Sequence, residues 1–339
     1  MAKLSVELDS GGLCETVGMK EVSSTVAALL PKPLDFVEVA VLERGGIVES
    51  RHKGIAALVD PDGKLIDHLG SAKRLIYPRS AVKPLQVVAM RRAGLLLEGE
   101  QLAVSSASHQ GTPAHIALVE AILRDAGLGA ADLQCPLAWP GNPTARAESS
   151  GETRLAFNCS GKHAAFLATC VVAGFDTKTY LAADHPLQQL IVQVLEEYSG
   201  EKILHSSIDG CGAPLHAMTV EGLARAIGKF TATDSDVVDA MLANPWAVGD
   251  TNSMDAIVMQ HGMVAKVGAE GVFVIGLRSG HGVAVKIADG SMRATPLVAL
   301  ALLHRNQLIT DATYAEFKTA LAVKSLGGSK VLGELEILV

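Results

Sequence analysis

The chain has 339 residues, of which 49% are hydrophobic and 19% charged, and its net charge is −7. This composition is typical of a globular protein and argues against a disordered or fibrous chain. The basic residues form no run, so we expect no nucleic-acid partner. No apolar segment resembles a signal peptide or reaches the ~20 residues of a membrane span, so we expect no membrane association. Five cysteines are too few for a disulfide framework, which favours a cytoplasmic protein.

The first predicted elements are strands, followed by a series of helices. We expect residues 1–35 to form an N-terminal extension and residues 36–339 to form a single domain. Alternating apolar residues between turn residues predict short strands at 36–42, 47–51, 54–59 and 65–69. Apolar periodicity and capping residues then predict helices at 85–93, 112–123, 161–172, 186–198, 214–227 and 236–242.

The end of the chain returns to strands. These are predicted at 263–267, 272–277 and 283–288, before two helices at 296–303 and 312–322 and a final tail. If both sets of strands share one sheet, that sheet is antiparallel and has helices on its faces. The predicted fold class is therefore α+β, with an antiparallel sheet of N- and C-terminal strands and a helical insert between them.

The pattern Ser-x-x-Lys occurs three times, at 50–53, 80–83 and 199–202. Average serine and lysine usage predicts about one or two such matches by chance, so the pattern alone says little. The first match lies in a predicted strand, where positions three apart face opposite sides. The third lies in a charged turn after a predicted helix. Only the second has a context that suggests chemistry.

That second match, Ser80 and Lys83, is followed directly by Pro84. Proline is tolerated only near the first turn of a helix, so a helix starts close to Ser80 and places both side chains on one face. Apolar neighbours disfavour the charged form of Lys83, which can then act as the base for a serine nucleophile. The alternative is that Ser80 only caps the helix and Lys83 is a surface charge.

Cysteine and lysine side chains cluster at two further predicted helix starts. Cys159 lies close to Lys162 and His163, and Cys211 follows Asp209 in a glycine-rich turn. The two thiols with Lys162 or His163 offer a set of zinc ligands. No Cys-x-x-Cys spacing supports a metal, however, and lysine must be neutral to ligate. The alternative is a capped helix with a buried cysteine.

Two other positions carry groups of interest. Ser108 precedes His109 at the end of a predicted element, where it is either a second hydroxyl near the site or part of a polar turn. Lys286 alternates with Val285 and Ile287 in a short predicted strand. Its side chain either points into a cleft or is solvated.

Seven motifs, in chain order, resemble those of the rhizobial-type asparaginases, the asparaginase II family. They are RGGIVE (44–49), RSAVKP (79–84), ASH (107–109), NCSGKH (158–163), DHP (184–186), DGC (209–211) and VKIADG (285–290). The resemblance extends over residues 37–330. Residues 1–35 have no counterpart in it.

This resemblance implies a fold similar to serine β-lactamases and glutaminases, and the hydrolysis of L-asparagine to L-aspartate and ammonia by one catalytic amidohydrolase domain. It implies two Ser–Lys pairs, Ser80 with Lys83 and Ser108 with Lys286. The other candidates take roles by position: substrate orientation by Arg79, His109, His163 and Asp209, and a zinc site at Cys159, Lys162 and Cys211.

Three alternative functions stay open at this point. A glutaminase would use the same chemistry on a longer substrate. A β-lactamase or D-alanyl carboxypeptidase would also use it, although its substrates lie outside the cytoplasm. A catalytically silent protein that binds amino acids is the alternative from another class. We expect a homodimer that binds L-asparagine as a small-molecule substrate.

Overall fold

The computed structural model describes residues 22–339. Part of the predicted N-terminal extension therefore lies outside the described residues. The strands are β1 (Val37–Arg44), β2 (Ile47–Val59), β3 (Leu65–Leu69), β4 (Leu75–Ile76), β5 (Ser206–Ile208), β6 (Pro214–His216), β7 (Met218–Thr219), β8 (Val264–Gly268), β9 (Val272–Gly276), β10 (Gly282–Ile287), β11 (Lys324–Gly327) and β12 (Lys330–Ile337).

Helices fill most of the chain between β4 and β8. They are preceded by a short N-terminal helix and followed by two more. The helices are α1 (Ser24–Leu29), α2 (Lys83–Arg92), α3 (Gly99–Ser105), α4 (Pro113–Asp125), α5 (Pro143–Glu148), α6 (Ser160–Ala173), α7 (Pro186–Ser199), α8 (Val220–Thr233), α9 (Ser235–Ala243), α10 (Pro245–Val248), α11 (Met254–Met259), α12 (Thr295–Arg305) and α13 (Asp311–Ala320).

One antiparallel sheet joins the two ends of the described chain. It has eight strands among residues 22–339, in the order β11-β12-β1-β2-β10-β9-β8, with β3 paired to β2. N-terminal strand β2 pairs directly with C-terminal strand β10, from Val59 opposite Gly282 to Gly54 opposite Ile287. The prediction of a mixed fold, with one antiparallel sheet built from both ends of the chain and flanked by helices, is therefore confirmed.

The sheet packs against helices that approach it closely. Helices α8 and α12 both lie on β2, β9 and β10. A Cβ atom at Gly282 would lie only 2.0 Å from the backbone oxygen of Ala224 in α8, so glycine is what permits this approach. In the described part of the chain, no helix has the length and apolar character needed to cross a bilayer.

Three predicted regions differ from the structure, the first being residues 47–59, where the two predicted strands form the single strand β2. Residues 214–227 do not form one helix, because Pro214–His216 pairs with β5 and the helix starts only at Val220, capped by Thr219. The tail contributes strands β11 and β12 to the sheet edge. Most of their side chains are exposed, so neither strand has the clear burial alternation that sequence patterns detect.

Candidate active site

Ser80 lies in a tight turn that leads into α2. Residues Arg79–Val82 form one turn of 3-10 helix, and Pro84 occupies the first turn of α2, as predicted. Arg79 has a φ of 53°, in the left-handed region that non-glycine residues rarely adopt. Its Nε donates to Oδ1 of Asp209 at 2.7 Å, and this ion pair holds the turn. The strained backbone therefore positions the Ser80 hydroxyl at a helix start.

A narrow cavity opens at this turn. It is lined by Ser80 and Lys83 together with the ion pair of Arg79 and Asp209. The structure thus brings three residues of the RSAVKP motif together with Asp209, which lies about 130 residues later in the DGC motif. The remaining lining residues are Val82, Gln86, Lys162, Pro214, Leu215 and His216.

The Lys83 amine is buried beside this cavity and is directed to a second serine. Its Nζ donates to the carbonyl oxygen of Ala107, to Oγ of Ser108 at 3.2 Å and to Sγ of Cys159 at 3.1 Å. Among the hydrogen bonds of residues 22–339, none joins Lys83 to Ser80. The two side chains share the cavity wall, but Ser108 is the hydroxyl that Lys83 contacts.

Ser108 lies between two lysines. Its Oγ also accepts a hydrogen bond from Nζ of Lys266 at 3.1 Å. Lys266 is fully buried and forms an ion pair with Asp255, with 3.2 Å between Nζ and Oδ2. Burial lowers the pKa of Lys266 to about 8. The positive charge of Lys83 also lowers this pKa, whereas the negative charge of Asp255 raises it. A neutral amine is thus accessible beside Ser108 close to neutral pH.

The predicted pairing of Ser108 with Lys286 is wrong. Nζ of Lys286 donates to the backbone oxygen of Glu270, and its partly exposed side chain lines a second, larger cavity that also borders Arg79. Lys266 takes the place beside Ser108 instead. One feature of the sequence could have indicated that Lys266 is buried: it is a lysine within the apolar run of β8, where Val264 and Ala265 are also buried.

The predicted zinc ligands form a buried cluster next to the cavity. Nζ of Lys162 donates to Sγ of Cys211 at 3.2 Å. The hydrogen bond from the Cys211 thiol holds the pKa of Cys159 well below its ordinary value, with Lys83 and Lys162 acting in the same direction. Burial would lower the pKa of Lys162, but the adjacent sulfur atoms of Cys211 and Cys159 outweigh burial and raise that pKa.

This cluster has the soft donor atoms that zinc prefers, but only two of them are thiols. The third, the Lys162 amine, must lose a proton that its neighbours stabilise. Within residues 22–339, no group of three or more His, Cys, Asp or Glu side chains is arranged to hold a metal ion. Zinc binding at this cluster therefore depends on an amine ligand.

A close contact between two helices explains why residue 161, beside this cluster, is a glycine. A Cβ atom there would lie 2.4 Å from the backbone oxygen of Val104, so glycine allows α6 to approach α3.

The structure does not bring the two predicted substrate-binding histidines to the cavity wall. His109 has both ring nitrogens engaged, Nε2 with the Ser160 hydroxyl at 2.9 Å and Nδ1 with the N–H of Gly111 at 3.1 Å. His163 bonds the Tyr180 hydroxyl through Nδ1 at 2.8 Å, and burial lowers its pKa to about 4. Both are buried and pack in the helical insert.

Sequence reasoning missed two further polar residues of the cavity wall, Gln86 and His216. Gln86 had a detectable signal, since it continues the spacing of three from Ser80 through Lys83. His216 had none, because it lies in a segment that was predicted to be helical. Only the pairing of β6 with β5 places it at the cavity.

Comparisons with known proteins give one family and two distant structures. The family model of L-asparaginase II matches residues 40–337. The crystal structure of Mglu in its native form is 13% identical, with a TM-score of 0.42, covering 76% of this chain and 65% of that chain. Mglu in its glutamate form is 15% identical, with a TM-score of 0.42 and coverages of 86% and 66%.

The chain thus spans just under two thirds of the length of those structures, and their TM-scores are too low to support an argument. No curated protein matches the chain significantly. The family match, by contrast, extends over most of the sequence and includes Ser80, Lys83, Ser108 and Lys266. The chain belongs to the L-asparaginase II family.

Proposed function

We propose that the protein hydrolyses L-asparagine to L-aspartate and ammonia through a serine nucleophile that is activated by lysine. One observation carries the proposal: Ser80 and Lys83 share the wall of a narrow cavity with an arginine–aspartate ion pair. Family membership supports the same reaction class.

The ion pair at this cavity matches the charged end of an amino acid. The side chains of Arg79 and Asp209 are 26% and 13% exposed, so both are accessible to solvent in the cavity wall. The guanidinium can bind the α-carboxylate of asparagine while the carboxylate of Asp209 accepts from its α-ammonium. The substrate's own charges then replace the ion pair, and its carboxamide points inward to Ser80.

Acylation starts with the transfer of the Ser80 proton to the amine of Lys83. Oγ of Ser80 forms a bond to the carboxamide carbon, and the N–H of Ser80, in the first turn of the helix, stabilises the oxyanion. The C–N bond breaks as Lys83 returns the proton to the leaving nitrogen, which departs as ammonia. Water then attacks the aspartyl ester, giving aspartate and restoring the hydroxyl.

Ser108 and Lys266 are proposed as the proton relay for these steps. The Ser108 hydroxyl is within hydrogen-bond distance of both amines, at 3.2 Å from Lys83 and 3.1 Å from Lys266. A proton on Lys83 can therefore pass through this hydroxyl to Lys266. The pKa of Lys266, lowered to about 8 by burial, matches a group that exchanges protons near neutral pH.

Cys159, Lys162 and Cys211 are proposed to hold zinc. When bound, the ion would supply a positive charge that helps to orient the α-groups of the substrate, and no step above requires it. Elemental analysis of the wild type against a double variant, Cys159→Ser with Cys211→Ser, tests the site. Equal zinc contents in the two proteins would contradict it.

The central test is ammonia release from L-asparagine by Ser80→Ala and Lys83→Met. We expect each variant to lose about 10³-fold or more in kcat, because each removes a member of the nucleophile–base unit. Ser50→Ala and Lys53→Met are matched controls with the same sequence spacing, on strand β2 and outside the cavity. Turnover near that of the wild type in either cavity variant would contradict the proposal. Parallel kinetics on glutamine measure the preference for the shorter substrate.

A further inference from the structure

Two side chains in the wall of the Ser80 cavity each have a buried polar atom without a hydrogen-bond partner among the described residues. These atoms are Oε1 of Gln86 and Nε2 of His216, whose residues are 5% and 7% exposed. Buried polar groups in folded proteins are nearly always paired, and the exceptions point to a water or a ligand. Because both atoms belong to one cavity, a single ligand can satisfy them.

The two residues come from different elements that meet at the cavity wall. Ser80, Lys83 and Gln86 follow each other at a spacing of three, so they lie along one face of the helical segment. His216 comes from β6. Gln86 and His216 are less exposed than the ion pair of Arg79 and Asp209, and the proposed substrate orientation directs the carboxamide away from that ion pair.

Both unpartnered atoms can act as acceptors. Oε1 of Gln86 is a carbonyl oxygen. Nδ1 of His216 lies 2.8 Å from the hydroxyl of Ser206, which is exposed and can donate to solvent while it accepts from the ring. We assign the His216 proton to Nδ1 for this reason, which leaves a lone pair on Nε2. Burial lowers the pKa of His216, so the neutral ring persists at neutral pH.

We propose that Gln86 and His216 bind the two N–H groups of the substrate's carboxamide and thereby make the site specific for a primary amide. This inference rests on the proposed function. The two acceptors would hold the leaving nitrogen close to Lys83, the group that protonates it. After hydrolysis, Gln86 and His216 would face the carboxylate of aspartate. Because a carboxylate can only accept hydrogen bonds, it cannot pair with these two acceptors, which favours release of the product.

The test compares an amide with an ester that lacks these N–H groups. We measure kcat/KM for L-asparagine, by ammonia release, and for L-aspartate β-methyl ester, by methanol release, in wild type, Gln86→Met and His216→Phe. Each variant should lose about tenfold on the amide and less than about twofold on the ester, since only the amide loses a hydrogen bond. The amide-to-ester preference should therefore fall about fivefold or more in each variant.

Gln188→Met is the matched control. Gln188 is also buried with an unpartnered Oε1, but its amide nitrogen donates to the backbone of Tyr180 and it lies outside the cavity. Its substitution should leave the amide-to-ester ratio unchanged. If Gln86→Met fails to fold, His216→Phe on a different element carries the same prediction.

The outcomes separate this inference from the proposed function. Wild-type protein that hydrolyses neither compound overturns the proposed function and, with it, the inference. An active wild type whose ratio is unchanged in both cavity variants, or whose variants lose equally on amide and ester, overturns the inference alone.

Discussion

Two lysines on the C-terminal strands, Lys266 on β8 and Lys286 on β10, face the same side of the sheet but have different surroundings. Lys266 lies opposite Val274, which lies opposite Ala284, two residues from Lys286 along β10. The lysines are therefore separated by two strand spacings of ~4.8 Å and by two residues along the strand. Only Lys266 reaches Ser108 from its position.

Burial makes the two amines chemically different. Lys266 has no solvent contact and is held between Ser108 and Asp255. Lys286 is partly exposed, and its hydrogen bond goes to a backbone oxygen of a turn. Two lysines on the same face of a sheet can therefore differ in their chemistry. The position of each lysine across the sheet decides whether it is desolvated beside a hydroxyl.

The largest expected effect comes from replacing each lysine by methionine. Lys266→Met should reduce kcat for L-asparagine by about 10²–10⁴-fold, because the relay from Ser108 loses its proton acceptor. Lys286→Met should change kcat by less than about twofold. Ammonia release by the two purified variants, each with its melting temperature recorded, measures the difference. A larger loss of kcat in Lys286→Met than in Lys266→Met would contradict the pairing of Ser108 with Lys266 and favour Lys286 as its partner.

A stability effect should follow from the buried ion pair. Asp255→Asn removes the charge beside Lys266 and should lower the free energy of unfolding by about 3 kcal/mol, because a buried ammonium loses its partner. Glu270→Gln near Lys286 should cost less than about 0.5 kcal/mol, since Lys286 bonds its backbone oxygen. Urea denaturation compares the two. Equal losses would show that Lys266 is not desolvated as the structure indicates.

The pH dependence gives the smallest of the three effects. Burial lowers the pKa of Lys266 to about 8 from an ordinary value near 10.4. If the neutral amine is the active form, activity rises as pH increases through 8 and falls about tenfold per pH unit well below it. A pH profile of kcat/KM for Lys286→Met should keep this inflection. Any residual activity of Lys266→Met should lack it, and an unchanged profile in that variant would assign the inflection to another group.

Local sequence signals were sufficient to predict the antiparallel sheet and the helix start that carries Ser80 and Lys83. Pro84 predicted the helix start that presents Ser80, and the structure has that start. Strands at both ends of the domain predicted one antiparallel sheet, which is also present. These predictions succeed because proline geometry and strand alternation act over a few residues.

The remaining features depend on contacts between distant segments. Lys266, and not Lys286, lies beside Ser108 because of the strand order β10-β9-β8. No local sequence pattern specifies this order. The direction of the Lys83 amine, towards Ser108 instead of Ser80, requires the packing of the chain that follows α3 against α2. His216 enters the cavity only because β6 pairs with β5 in a segment with helical periodicity.

The sequence by itself determined the antiparallel α+β architecture, the helix start at Ser80 and the family to which the motifs point. Backbone geometry, turn residues and apolar periodicity are encoded within short segments, and these features follow from them. The tertiary structure decided which lysine is desolvated beside Ser108 and which polar atoms remain unpartnered in the cavity. Burial and pairing are properties of the assembled chain, since each requires atoms that lie tens to hundreds of residues apart.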